Sequence, residues 1–315
     1  MSRFVATQAQ RLQLKARIGL TGSTNTGKTY TALVIAAGLL KSEGCVLEDG
    51  SPDWSKVVLI DTERQRALFY ANNGRFGKFL HIDFTPPYSP TDYVEAVKYA
   101  ESLGARVCII DSLSHAWSGT GGVLEIVNER TANSRTKNQF SEGWGGKDGG
   151  TALQNDMINN ILSCGMHTIC TFRQKMEYVQ EKDEATGKTV IRKMGIKPTQ
   201  RDDLEYEFDL TLKLNNDHTA EIIKNTIEFI GKNEEVIPVI TEEFGIVLGN
   251  YLNSGASIQE HQQQLKETYI QQIKEMADAH PALYDYYLVK YDGIKLAELT
   301  LSDLKDVLRE FKEML

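Results

Sequence analysis

The chain has 315 residues, 41% of them hydrophobic and 25% charged, with 43 acidic against 35 basic side chains and a formal charge of −8. These are globular proportions, so whole-chain disorder is excluded, and the negative balance excludes a surface that coats nucleic acid indiscriminately, though not a local basic groove. No apolar run approaches the roughly 18 residues of a membrane span, and the opening MSRFVATQAQRLQLKAR has no apolar secretory stretch. Cys45, Cys108, Cys164 and Cys170 lack paired or zinc spacing, so reduced thiols and a cytoplasmic protein are expected.

Residues 1–17 carry Arg3, Arg11, Lys15 and Arg17 without an acid and read as a basic arm. Lys15–Thr21 alternates and runs into a glycine turn, and Val57–Asp61, Phe79–Phe84, Val107–Asp111 and Thr168–Phe172 are β-rich runs of buried-strand length. Helical patterns over Lys28–Lys41, Thr91–Leu103 and Thr151–Leu162 lie between them. That alternation predicts an α/β domain with a mostly parallel sheet. Glu207–Leu214 and Ala220–Asn225 flank Asn215-Asn216-Asp217 and read as a hairpin.

Asn253-Ser254-Gly255 marks a break, giving a 1–253 core and a 254–315 helical appendage. In the appendage, Ile258–Ala279 and Leu296–Leu315 have helical spacing, Ser302 is the expected N-cap, and Tyr284, Tyr286 and Tyr287 suggest a small core. From Ala256 onward there are 11 acidic and 7 basic residues. Two segments look poor in secondary structure: Gly119–Gly150, with eight glycines, and Tyr178–Pro198, a charged hairpin tip around Thr186-Gly187-Lys188. Both follow strand ends, where open α/β sheets bind ligands.

Gly22-Ser23-Thr24-Asn25-Thr26-Gly27-Lys28-Thr29 fits G-x-x-x-x-G-K-[ST] between a strand and a helix. Its backbone N–H groups and the helix N-terminus suit phosphate oxygens. Lys28 is placed to reach the β- and γ-phosphates of ATP and Thr29 to ligate Mg²⁺, with Tyr30 following among the cofactor contacts. Asp111, ending an apolar strand, is the second expected Mg²⁺ residue, against a reading as a turn or cap aspartate. Glu63, just past Val57–Asp61, is the expected water-orienting carboxylate, against a surface pair with Arg64 or Arg66; Asp61 reads as structural.

Taken together, GSTNTGKTYTAL, VVLIDTERQRA, the PPYSP of Pro86–Pro90, IIDSLSHAW and the YEFDL of Tyr206–Leu210 resemble a phage-encoded ATPase family with a RecA-like core that includes single-strand annealing recombinases. The resemblance covers roughly the first 230 residues. It implies a RecA-like P-loop NTPase core and an ATPase acting on single-stranded DNA in recombination, annealing or repair, as a filament or ring, with a single-strand-binding protein as a further partner. It implies a γ-phosphate sensor at Gln174, although Arg173 stands where the family has an amide, and either residue fits. It also implies that Lys224 is offered to the ATP of a neighbouring subunit.

In that family two loops line the DNA path, here Gly119–Gly150 and Lys175–Pro198. Arg130, Arg135, Lys137 and Lys147 would then meet phosphates while Trp144 stacks on a base, and Lys175, Tyr178, Arg192 and Lys193 would serve likewise in the second loop. Residues Arg173 to Lys197 carry seven basic and four acidic side chains. His115 and Trp117 read as packing residues. A competing expectation is a nucleotide-gated adaptor that recruits a partner through its acidic appendage without touching DNA. A small-molecule kinase fits less well, because Asp-Thr-Glu suits water activation.

Overall fold

Val57–Ile60 and Val107–Ile110, runs without a polar break, become neighbouring interior strands of a sheet, because strands covered on both faces need apolar residues at every position. The structure, a computed structural model, describes residue 6 and residues 8–182, 189–201, 204–227 and 230–315; for 175–182, 189–198 and 205 it describes the backbone alone. The strands are β1 Arg17–Gly22, β2 Val57–Asp61, β3 Leu80–Asp83, β4 Val107–Asp111, β5 His167–Lys182, β6 Thr189–Pro198, β7 Leu210–Leu214, β8 Ala220–Asn225 and β9 Val236–Ile237. Their order is β3-β2-β4-β5-β1-β7-β8-β9, with β6 paired to β5. The six strands from β3 to β7 in this order pair in parallel, and β6, β8 and β9 add antiparallel edges. The expected α/β P-loop core with a mostly parallel sheet is therefore present.

Register positions the chemistry. Asp83, Asp61 and Asp111 stand side by side at the ends of β3, β2 and β4, and Gly22 stands beside Arg173. Helix α1, Lys28–Ser42, is buried from Thr31 to Leu40 and contacts β1, β4 and β5. Helices α2, Pro90–Ser102, and α5, Gly150–Ser163, bury Tyr93, Val97, Met157 and Ile161 against Val58, Ile60, Cys108 and Ile110. Side chains of alternate parity point to opposite sheet faces, which leaves Val57, Leu59 and Ile109 on the other side.

Several sequence expectations need correction. Gly119–Gly150 is not an open loop: it holds α3 Ser114–Ser118 at its edge, α4 Val123–Asn133 and a π-helical turn, Gln139–Trp144. Most of its glycines serve close approach, while Gly146, with φ 80° and open space around it, serves a turn. A Cβ on Gly143 would lie 2.5 Å from Thr131 Oγ1, and one on Gly150 would lie 2.4 Å from Val127 Cγ2. The strand expected to end at Phe172 continues to Lys182 and pairs with β6, so Lys175–Pro198 is a β-ribbon. The expected tip, residues 186–188, lies outside the described residues. Leu204–Glu207 is a 3₁₀ turn, so the strand predicted from Glu207 begins at Leu210.

The chain divides into two compact units, Lys15–Tyr251 and a second unit of Leu252–Leu315 with the described residues up to Leu14. The second unit thus takes in most of the predicted basic arm: Gln13 N–H donates to Ala256 O at 2.8 Å and Ala256 N–H to Arg11 O at 2.9 Å. Arg3 lies outside the described residues. Arg17 belongs to β1, its guanidinium donating to the Met166 and Cys164 carbonyls. Helices α7 Ile258–Ala279, α8 Pro281–Lys290 and α9 Leu301–Met314 enclose Ile273, Leu283, Tyr287, Leu304, Val307 and Phe311. Of the three tyrosines only Tyr287 is buried, and Thr300 caps α9 in place of Ser302, exchanging hydrogen bonds with Asp303. Among the described residues no helix is long and apolar enough to cross a membrane. All four cysteines are free, with Cys108, Cys164 and Cys170 buried.

Candidate nucleotide site

The turn between β1 and α1 folds tightly because its glycines allow it. A Cβ on Gly22 would sit 2.5 Å from Thr26 Oγ1, and Gly27 has φ 88°, a left-handed conformation disfavoured for other residues. Thr26 Oγ1 donates to Ser23 O at 3.0 Å, closing the loop on itself. Lys28 Nζ donates to Gly22 O at 2.9 Å and Ser23 O at 2.7 Å, so the ammonium lies inside the curl of the loop. Burial pushes its pKa down, partly opposed by Asp111 and Glu63.

A cavity of about 680 Å³ opens beside this loop, and its wall includes Thr24, Asn25, Gly27, Lys28, Thr29, Glu63, Asp111, Arg173 and Gln174. The structure therefore brings the predicted phosphate, metal, water-orienting and sensor positions together around one space. Tyr30 is not in that wall; it packs edge-on against Phe76 at 5.3 Å and against Tyr70 at 6.1 Å. Three lining residues, Arg66, Phe69 and Tyr70, were missed from the sequence. Phe69 is 83% exposed, an apolar face suited to stacking on a base. The available signal was an aromatic pair in a short polar turn just past the Asp-Thr-Glu acids. His218, in the β7–β8 turn, reaches the loop from the other side, Nδ1 lying 3.3 Å from Thr26 O.

Asp111 is buried, and its carboxylate accepts hydrogen bonds from the hydroxyls of Thr29 and Thr171. Burial pushes its pKa up, with the two hydroxyls opposing. Thr29 and Asp111 are hard oxygen donors that meet at the cavity wall. Among the described residues no group of three or more His, Cys, Asp or Glu forms a closed metal cage. An open pair of oxygen ligands fits Mg²⁺, which keeps waters and phosphate oxygens in its remaining positions.

Glu63 pairs with neither Arg64 nor Arg66. Its carboxylate is gripped by Arg173, Nε donating to Oε1 at 2.6 Å and Nη2 to Oε2. Burial raises the Glu63 pKa, but the Arg173 hydrogen bonds and charge outweigh it, so the net shift is downward. Asp61 holds the turn that carries Glu63, accepting from Glu63 N–H at 2.7 Å and Ala67 N–H at 3.1 Å. The ends of β2, β4 and β5 are tied as one piece. Thr62 N–H donates to Asp111 O at 2.7 Å, Leu113 N–H to Thr171 O at 3.0 Å, and Arg173 N–H to Ser114 Oγ at 2.9 Å. His115 stacks on Tyr88 with centroids 4.8 Å apart and contacts Thr62 Oγ1 at 2.7 Å.

Other predicted residues lie elsewhere. Lys224 is outside the cavity; its ammonium donates to the carbonyls of Tyr206 and Phe208 of its own chain. Trp144 is half-buried against Trp117, centroids 5.7 Å apart, rather than standing free for a base. Phe140, in the same π-helical turn, is 84% exposed and was passed over because only its neighbours' charge and the tryptophan drew notice. Arg130 Nε donates to Glu142 O at 3.2 Å and Lys137 Nζ to Ala132 O, whereas Arg135 and Lys147 are exposed. Lys175, Tyr178, Arg192 and Lys193 lie on the β5–β6 ribbon, with Tyr178 opposite Lys193 in register; their side chains are outside the described residues.

A family model described as an AAA domain matches residues 14–237, a span containing every residue of this cavity. No curated protein matches the chain.

Proposed function

The chain belongs to the AAA domain family of P-loop ATPases, and on that premise we propose that it is a Mg²⁺-dependent ATPase acting on single-stranded DNA in recombination, annealing or repair. Nucleotide hydrolysis follows from the family and the P-loop. One observation supports it above the others. Strand β5 carries Arg173 and Gln174 in the cavity wall and continues unbroken into the ribbon that bears Lys175, Tyr178, Arg192 and Lys193. A paired ribbon rooted in the nucleotide site connects nucleotide state to a segment whose sequence is rich in basic residues.

In this reading Lys28 exchanges its loop carbonyls for the β- and γ-phosphate oxygens, and the loop N–H groups hold the remaining ones. Thr29 and Asp111 would hold Mg²⁺, which neutralises phosphate charge when bound. Glu63 orients the attacking water once its carboxylate is released, and Gln174 reads the γ-phosphate. Phe140 supplies the exposed stacking face first sought at Trp144. Assembly into a filament or ring and a single-strand-binding protein as partner belong to the same reading.

The test is ATP hydrolysis with and without single-stranded DNA, on wild type, Lys28→Ala and Glu63→Gln. DNA is expected to stimulate hydrolysis, both substitutions to abolish it, and DNA affinity to fall steeply with salt. Hydrolysis indifferent to DNA, or DNA binding indifferent to salt, refutes the DNA assignment. That outcome would favour a nucleotide-gated adaptor, a reading supported by the separate core of the C-terminal helices.

A further inference from the structure

Beside the nucleotide cavity lies a second one of about 500 Å³, which shares Glu63, Arg66 and Arg173 with it. The Glu63–Arg173 ion pair is thus a common wall. On its far side the second cavity is lined by Arg64, Tyr88, His115, Ser118 and Thr120, none of which touches the nucleotide cavity.

The charge of this second cavity is unbalanced toward the positive. Arg64, Arg66 and Arg173 face Glu63 and Asp83. Glu63 cancels Arg173, and Asp83 Oδ2 already accepts from Gln65 Nε2 at 2.5 Å. Among the described residues neither Arg64 nor Arg66 forms an ion pair. Arg64 is brought to this wall by an unusual backbone: Arg64 and Gln65 are consecutive non-glycine residues with φ 59° and 62°. Such conformations are disfavoured for residues other than glycine and persist where the surroundings impose them, commonly at functional sites.

The nucleotide side has the opposite difficulty. Arg173 donates to both carboxylate oxygens of Glu63, so an attacking water must compete with the guanidinium for the side of the carboxylate that Arg173 covers. Arg173 also holds the carboxylate's basicity down. An anion that took the guanidinium would therefore free this carboxylate and restore its basicity.

We propose that the second cavity binds a phosphate-class anion, supplied by a backbone phosphate of single-stranded DNA, and that this anion draws Arg173 away from Glu63 and so switches hydrolysis on. This rests on the proposed function for the source of the phosphate, but the site and the release of Glu63 stand on the geometry alone. Arg64 and Arg173 grip the phosphate from two sides, as paired guanidiniums do in fork-type recognition. Freed Glu63 then accepts hydrogen bonds from the attacking water. DNA becomes an activator through an exchange of anions on one arginine.

The experiment measures steady-state hydrolysis by the full chain at saturating ATP and constant ionic strength, in chloride alone, with sulfate replacing part of the chloride, and with an oligothymidylate. Wild type, Arg64→Gln, Arg64→Lys and Arg173→Gln are compared, with thermal unfolding read alongside. Sulfate and oligothymidylate should each stimulate wild type by about tenfold, the scale of one charge-assisted hydrogen bond. Arg64→Gln should lose most of that ratio and Arg64→Lys keep part of it. Arg173→Gln should hydrolyse faster than wild type in chloride and respond to neither anion.

Arg173→Gln that binds ATP but hydrolyses none of it overturns the release of Glu63. DNA stimulation that survives Arg64→Gln overturns this inference and leaves the proposed function intact. Sulfate stimulation without DNA stimulation keeps the site, makes a free anion its source and removes the proposed function. No stimulation of wild type by either anion overturns both.

Discussion

Two buried carboxylates sit at opposite ends of the parallel strands, and they are treated differently. Glu43, at the end of α1, is bonded by Lys15, by Arg106 Nε at 2.7 Å and by His167 Nε2 at 2.9 Å. The Ala16 N–H donates to His167 Nδ1 at 2.9 Å, so the proton of the neutral ring sits on Nε2 and points at Glu43. Burial raises the Glu43 pKa, but these donors overcome it and hold it well below the ordinary carboxylate range. Asp111 has only two threonine hydroxyls, and its pKa goes up. An acid that serves the fold is paired with basic side chains; one bonded only by hydroxyls, with its pKa raised by burial, is suited to a cation from outside.

The comparison is broken most forcefully at the nucleotide end. Glu63→Gln keeps the shape of the site but removes the group that polarises water, and should lower kcat by about 10²–10⁴-fold with ATP binding retained, read by steady-state kinetics and equilibrium nucleotide binding. At the opposite end, Glu43→Gln should destabilise the protein by about 3–5 kcal/mol at pH 7, read by denaturant unfolding, because it leaves buried donors without their acid. A depressed carboxylate stabilises above its unfolded pKa and loses that contribution as pH falls through the folded one. The gap between wild type and Glu43→Gln should therefore narrow on acidification.

Asp111→Asn sharpens the comparison with the reverse sign. Its carboxyl is raised, so between the ordinary value and the raised one the native state holds more protons, and the stability of the nucleotide-free protein falls as pH rises through that window. Replacing it with a neutral amide should abolish hydrolysis yet raise Tm by about 2–4 °C, the shift that ~1 kcal/mol gives in a chain of this size. The difference from wild type should grow from pH 4 upward. A loss of stability in Asp111→Asn would contradict the reading of Asp111 as a carboxylate whose burial is not offset by its neighbours.

Much of the fold was legible because local periodicity and burial coincide in it. Val57–Asp61, Val107–Asp111 and Ile258–Ala279 appear with their predicted bounds, and the three core helices miss the observed ends by at most one residue, whereas the helix expected from Leu296 begins at Leu301. Gly22–Thr29 was legible because a phosphate loop needs particular residues at fixed spacing. Gly119–Gly150 was misread because glycine marks both freedom and close approach, and only neighbours such as Val127 tell the two apart. The ribbon beyond Phe172 was misread because its charged residues pair with a second strand instead of covering a core.

By itself the sequence determined an α/β P-loop ATPase core, the loop that meets phosphate, the strand ends that carry acids, and a helical unit after residue 253. Each depends on residues close together in the chain. The tertiary structure alone decided that Glu63 answers to Arg173, 110 positions away, that Lys224 is held by its own chain, and that Asp111 is buried with only hydroxyl donors on its carboxylate while Glu43 is surrounded by basic ones. Those outcomes depend on which strand ends the sheet order brings together and on how far each charge is removed from water, and neither quantity is written in local spacing.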